Sequence, residues 1–227
     1  MPTIPQRLRA ILSQIKQAET TYRRTPGSVQ LLAVSKTKPI TDIVIAYTAG
    51  QRHFGESYLQ EALGKQRALA AFNISWHFIG PIQSNKTKPI ACHFDWVHSV
   101  DRLKIAQRLS EQRPRHLPPL NICIQVNISN ETSKSGINLD ELPQLVDQIS
   151  PLPNLRLRGV MAIPAPLPDH QQQRQPYRQL YQAVTRLNHP ELDTFSFGMS
   201  NDLTAAIAEG ATLVRIGSAL FGTRSSR

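Results

Sequence analysis

The chain has 227 residues, 40% of them hydrophobic and 19% charged, which excludes global disorder and allows one sizeable core. Twenty-six Lys and Arg against sixteen Asp and Glu give a net charge of +10, which points to an anionic partner (nucleic acid, phosphorylated metabolite or acidic protein) or to a merely basic surface. The longest apolar runs, such as Ile43–Tyr47, are about five residues, whereas a membrane-spanning helix takes about 20.

Residues 1–15 carry Arg7 and Arg9 inside a helical pattern and no apolar h-region, so no secretory signal is visible and a cytoplasmic protein is expected. Ile4, Leu8, Ile11, Leu12, Ile15, Ala18 and Tyr22 form one stripe, which predicts an amphipathic helix over Ile4–Tyr22. Eight short apolar runs then read as buried strands: Leu31–Ser35, Arg52–Phe54, Trp76–Ile79, Trp96–Ser99, Ile122–Ile128, Leu157–Ala162, Thr194–Phe197 and Leu213–Ile216.

Helical patterns separate the strands. Thr41–Ala49 is apolar on one face and stops at Gly50. Asp101 is placed to cap a helix carrying Leu103, Ala106 and Leu109. Asn138 with Glu141 resembles a capping box before Leu142, Val146 and Ile149. This rhythm predicts a single domain over residues 1–227, a (β/α)8 barrel with an extra N-terminal helix. An open doubly wound sheet is the second choice, disfavoured because Leu31–Lys38 lacks the glycine-rich first turn.

Two loops are unusual. Arg113–Pro119 precedes a strand and falls on the face that serves stability. Pro164–Gln175 is expected to be a stiff connection into a polar helix rather than a wall of the site. Cys92 and Cys123 form no CxxC pair and the seven histidines no HExxH, so reduced thiols and no metal are expected. The basic residues are scattered without interleaved aromatics, and a nucleic-acid binder is the least favoured reading.

A barrel places its chemistry where strands end. At the end of the first strand, alternation puts Leu32, Val34 and Lys36 on one side, aiming an ammonium up from an apolar floor. Loss of hydration lowers the pKa of such a lysine, which imine formation requires. The segment SKTKPI at Ser35 recurs as NKTKPI at Asn85, but Lys86 has a polar lead-in and is expected on a loop or helix start. Lys134, after the fifth strand, is the secondary candidate.

Near the C-terminus, Phe197–Asp202 runs from the seventh strand into a helix over Leu203–Glu209, and Arg215–Ser218 runs from the eighth strand into a short helix. Unpaired N–H groups at such helix starts, close to glycine, suit a phosphate. Ser200 and Ser218 add hydroxyls, and Arg215 shares parity with Leu213 and Gly217. Buried lysine, phosphate cradle and arginine together describe a site for pyridoxal 5′-phosphate (PLP), with Arg215 keeping the ring nitrogen unprotonated because arginine only donates.

The segments LLAVSKTKP, HFGESYLQE, WHFIGPIQSNK, NISNETSKSGI, LRGVMAIP, FGMSNDLTAAI and VRIGSALFG resemble the pyridoxal phosphate homeostasis proteins, single-domain relatives of the alanine racemase barrel. The resemblance covers nearly the whole chain. It implies PLP held as an imine on Lys36, with Ser200, Asn201, Gly217 and Ser218 around the phosphate, Arg215 near the ring nitrogen and Met199 among the cofactor-binding residues. It also implies a role in vitamin B6 balance and amino-acid metabolism without an established reaction, with PLP-dependent apoenzymes as candidate recipients.

In this family Asn is usual where this chain has Ser57, so a water in place of a direct contact with the ring hydroxyl, and a lower affinity, are expected. The alternative is a PLP-dependent amino-acid racemase, which needs acid/base groups on both faces of the imine. In the racemase relatives a tyrosine from a second domain serves the far face. The chain is expected to lack that domain, since it ends at Arg227, and hence to be a monomeric carrier rather than an enzyme. Tyr58, the tyrosine nearest a functional loop, is expected to pack at a helix start.

Overall fold

The computed structural model describes residues 2–131 and 134–222; Thr132 and Ser133, inside the NISNETSKSGI segment, lie outside the described residues. The first helix, α1, spans Ile4–Thr21. Thr3 and Gln6 close a capping box ahead of it, with the Thr3 N–H donating to Gln6 Oε1 at 2.8 Å. Leu8, Ile11, Ile15 and Ala18 are buried as the stripe predicts, whereas Leu12 at the stripe's edge is 45% exposed.

Eight strands follow: β1 (Gln30–Val34), β2 (His53–Glu56), β3 (Ser75–Phe78), β4 (Trp96–Val100), β5 (Leu120–Val126), β6 (Leu155–Ala162), β7 (Thr194–Ser196) and β8 (Leu213–Ile216). They pair in chain order, all parallel, and β8 closes onto β1 with Leu32 level with Arg215. Helices α2 (Ile40–Thr48), α3 (Leu59–Ala68), α4 (Thr87–His93), α5 (Leu103–Gln112), α6 (Leu142–Ile149), α7 (His170–Arg186), α8 (Leu203–Ala208) and α9 (Ser218–Phe221) connect and follow them. The expected (β/α)8 barrel with an added N-terminal helix is the observed fold. That helix packs against α2, α8 and α9, and Arg24 donates to the Ile207 carbonyl at 2.9 Å.

Strand limits differ from expectation by one or two residues at most ends. Apolar runs reveal burial, not where ladder hydrogen bonds stop. The α5 cap is also displaced: Arg102, not Asp101, precedes the helix, and Asp101 pairs with the Arg102 guanidinium at 2.6 Å. Asn138 and Glu141 do form a capping box, on a 3₁₀ turn (Leu139–Glu141) that leads into α6. In the loop before β5, Arg113 is buried and donates to the Ala91 and Phe94 carbonyls at 2.6 and 2.8 Å, which ties the end of α4 down.

The two faces of the strands have different chemistry. Phe54, Phe78, Val97, Phe195 and Val214 belong to the large apolar core. The alternate positions on β2, β3, β4, β7 and β8 carry His53, His77, His98, Ser196 and Arg215, joined by hydrogen bonds. Barrel interiors are usually filled by branched apolar side chains. Of the apolar floor expected beneath Lys36, Leu32 lies level with Arg215, beside a polar chain, and Val34 lines the cavity.

Candidate functional site

A cavity of about 530 Å³ opens at the carboxyl ends of the strands. All eight residues singled out from sequence line it: Lys36 past β1, Ser57 past β2, Met199, Ser200 and Asn201 past β7, Arg215 within β8, and Gly217 and Ser218 past β8. Because Leu32 is level with Arg215, the guanidinium sits deeper along the strands than Lys36. Lys86 ends a 3₁₀ turn (Ser84–Lys86) and Lys134 pairs with Glu131; neither lines the cavity. Tyr58 is 51% exposed, so it neither packs nor faces the cavity.

The cavity also contains residues that sequence reasoning passed over. Lys38 lines it and donates to the Gly222 carbonyl at 2.9 Å. Ile163, Pro164, Ala165, Pro166 and Leu167 wall one side. The Pro-rich segment is therefore a wall of the site and not only a connection, since proline holds an apolar surface there without a backbone donor to satisfy. The Gln173 side chain fastens it by donating to the Leu167 carbonyl at 2.7 Å.

The loop that presents Lys36 is braced from below. Lys65, on α3, donates to the Ser35 carbonyl at 2.7 Å, to Glu56 Oε1 at 2.8 Å and to Glu61 Oε1 at 2.6 Å. The Ser35 hydroxyl and the Thr37 N–H donate to the same two carboxylates, each at 2.6 Å. Burial pushes the Glu56 carboxyl above its ordinary range, and Lys65 offsets part of that shift. Thr37 has φ +63°, which is strained for a β-branched residue, and the brace holds it there beside Lys36. Past the end of β3, a Cβ at Gly80 would lie 2.3 Å from the Ser57 carbonyl oxygen, so the two backbones touch and Ser57 is fixed.

The anion cradle is made of backbone groups. The N–H groups of Ser200, Asn201, Gly217 and Ser218 donate to no acceptor among the described residues. The loop shape comes from Asp202, whose Oδ1 accepts from the Met199 N–H and whose Oδ2 accepts from the Tyr177 hydroxyl, each at 2.6 Å. Burial, with Asp202 adding to it, pushes the Tyr177 phenol well above its ordinary value. Helices α8 and α9 run only six and four residues, so it is the local N–H donors at their starts, as expected, that the cradle offers.

Arg215 is 4% exposed. It donates to the Ser196 carbonyl, to Ser196 Oγ at 2.8 Å and to the Ala162 carbonyl at 2.9 Å. An amine, a cluster of undonated N–H groups and a permanently protonated donor are the set that the PLP expectation requires. The histidines beyond Arg215 are legible in the sequence as alternate, inward-facing strand positions, though not from any metal-ligand spacing.

Residues 7–225 match the family described as alanine racemase, N-terminal domain. The chain is 58% identical to the pyridoxal phosphate homeostasis protein of Pseudomonas aeruginosa, over 99% of this chain and 97% of that protein. It is 52% identical to the protein of the same name from Escherichia coli K12, over 99% and 98%. The structure of PipY from Synechococcus elongatus with PLP bound superposes with a TM-score of 0.79 at 38% identity, covering 92% of this chain and all of that one. Alanine racemase from Corynebacterium glutamicum, at 15% identity and a TM-score of 0.66, shares the fold.

Proposed function

The chain belongs to the alanine racemase N-terminal domain family, and from that membership and the donor set of its cavity we propose that it is a PLP-binding protein of intracellular vitamin B6 homeostasis. When bound, the cofactor supplies an aldehyde that condenses with a lysine amine and an aromatic ring that accepts electron density. Lys36 is the amine in this reading. The Ser200, Asn201, Gly217 and Ser218 N–H groups and the two hydroxyls would hold the phosphate. Met199 and Ser57 would complete the lining, and Arg215 would supply the donor for the ring nitrogen. The observation that carries the assignment is the meeting of Lys36, four undonated N–H groups and a buried Arg215 in one cavity.

A racemase reading is not favoured. The ionisable side chains among the described lining residues are Lys36, Lys38, Asp202 and Arg215. Both Asp202 oxygens are already acceptors, and Arg215 does not release a proton. Lys38 is committed as a donor to the Phe221 and Gly222 carbonyls at 3.5 and 2.9 Å, so none of the four is placed as a second base for the far face. The proposal extends to a cytoplasmic, monomeric carrier of one domain, with PLP-dependent apoenzymes as recipients. Among the described residues no helix is long and apolar enough to cross a membrane.

The test is reduction of the PLP-loaded protein with an imine-reducing agent, digestion and mass mapping. The label is expected on Lys36. A label chiefly on Lys86 or Lys134, or none at all, overturns the assignment.

A further inference from the structure

Three buried or half-buried histidines lie inside the barrel and play no part in the site described above. His53 Nδ1 is 3.1 Å from His77 Nε2, His77 Nδ1 is 2.9 Å from His98 Nε2, and His98 Nδ1 is 2.9 Å from Ser196 Oγ. Ser196 Oγ in turn receives Arg215 Nη1 at 2.8 Å. The row thus runs from half-buried His53, at the start of β2, to the guanidinium at the cavity floor. We propose that His53, His77, His98 and Ser196 act as one polarised hydrogen-bond chain that positions Arg215 and couples it to solvent at the opposite pole of the barrel.

The direction of the chain follows from donor arithmetic. Arg215 only donates, so Ser196 Oγ accepts from it; the hydroxyl proton is satisfied by His98 Nδ1, its other partner among the described residues, and this orientation is the one the cation favours. His98 then carries its proton on Nε2 and donates to His77 Nδ1. By the same rule His77 carries its proton on Nε2 and donates to His53 Nδ1, which leaves the His53 proton on Nε2. Every acceptor lone pair in the row faces Arg215. That is the orientation a buried cation requires when no carboxylate touches it, and no ion pair to Arg215 occurs among the described residues. A metal is not the reason for the cluster, because each facing nitrogen lone pair is spent on the next donor.

Charge is kept out of the buried part of the row. Burial holds His77 well below its ordinary value; burial and then Arg215 hold His98 at about 3. The partly exposed end is where a proton enters. His53 faces His77 on β3, whose Nε2 also lies 3.3 Å from Ser75 Oγ, and Asp95 ahead of β4 favours the charged form of His53. Beyond it, Trp96 stacks on His77 and lies under the Arg158 guanidinium, itself paired with Asp193 at 2.7 Å. Around Arg215 the other titratable groups are Asp202, Tyr177 and the buried Cys123.

A doubly protonated His53 has no acceptor on Nδ1 and must donate to His77 Nε2. His77 and His98 each keep one ring proton but carry it on Nδ1, so the net change is uptake of one proton. His98 then points an N–H at Ser196 Oγ, which accepts from both His98 and Arg215 and turns its own proton away from His98, and the positive end of each ring dipole faces Arg215. A proton at the far pole thereby loosens the hold on the guanidinium.

The first test uses the full chain without added cofactor, labelled with ¹⁵N-histidine, and reads ring protonation by long-range ¹H–¹⁵N NMR across a pH series. At neutral pH His77 and His98 are expected to carry protons on Nε2. On acidification both are expected to switch to Nδ1 at one shared midpoint, that of His53, which burial places below the ordinary histidine value. In His53→Phe the switch is expected to vanish. Nδ1 protons at neutral pH, midpoints unrelated to His53, or a switch that survives His53→Phe would each overturn the proposal, and the wild-type series decides it even if the variant does not fold.

The second test rests on the PLP reading: the absorption band of the loaded protein is expected to shift at the same midpoint in the wild type and not in His53→Phe. A band indifferent to the switch overturns the coupling to the site. A protein that switches but retains no PLP overturns the functional reading and leaves the chain standing.

Discussion

Ser200 and Ser218 stand exposed at the cavity mouth, beside the four undonated N–H groups. A hydroxyl bond to a charged group contributes about 1.5–3 kcal/mol, and exposure places these near the lower figure. Ser200→Ala with Ser218→Ala is therefore expected to weaken PLP binding about a hundredfold while leaving the backbone cradle intact. A fluorescence titration reads this, and an unchanged dissociation constant would put the phosphate elsewhere. Glu56 adds a pH dependence to stability. Its carboxyl is raised in the folded state, so its contribution is fully present below the unfolded value and is lost as pH rises through the folded one. Urea midpoints are expected to fall over that interval, and Glu56→Gln to flatten the slope. An unchanged slope would assign it to other groups.

Within the sheet, β5 and β6 shift register between Ile122 and Cys123, where Gly159 meets Cys123. Gly159 has φ +156°, and a Cβ there would lie 1.8 Å from the Thr194 carbonyl oxygen on β7. Both atoms belong to ladders that cannot move independently, so Gly159→Ala is expected to cost about 3 kcal/mol or more. Gly64, inside α3, has open space around its Cβ and an ordinary φ. Gly64→Ala is expected to stabilise by about 0.5–1 kcal/mol through backbone entropy. Thermal denaturation of the pair checks both, and equal effects would show that the β6 backbone relaxes.

At the scale of the molecule, the barrel gathers two amines, Lys36 and a Lys38 held by backbone carbonyls, with one buried guanidinium and one anion cradle, and places no second base for the far face among the described lining residues. The loaded protein is therefore expected not to racemise L-alanine at an enzymatic rate. Loss of a general acid/base alone costs about 10²–10⁴ in rate. Chiral analysis after incubation, with Lys36→Ala as the blank, decides this, and turnover near ~1 s⁻¹ would restore the racemase reading.

Periodicity along the chain was enough to determine the barrel, the eight strands and the parity that turns Arg215 inward, because alternation and helical stripes record which face of each element is buried. The motif residues around Lys36, Ser200 and Ser218 were legible for a related reason: strand ends and loop glycines announce themselves locally. Only the tertiary structure decided that Pro164–Leu167 walls the cavity, that Lys38 joins it and that Tyr58 does not. Past the end of a strand, parity no longer constrains direction. The histidine chain was also settled only by closure of the barrel. His53, His77 and His98 are 24 and 21 residues apart in sequence, and the lateral register of neighbouring strands is what brings their rings within hydrogen-bond distance.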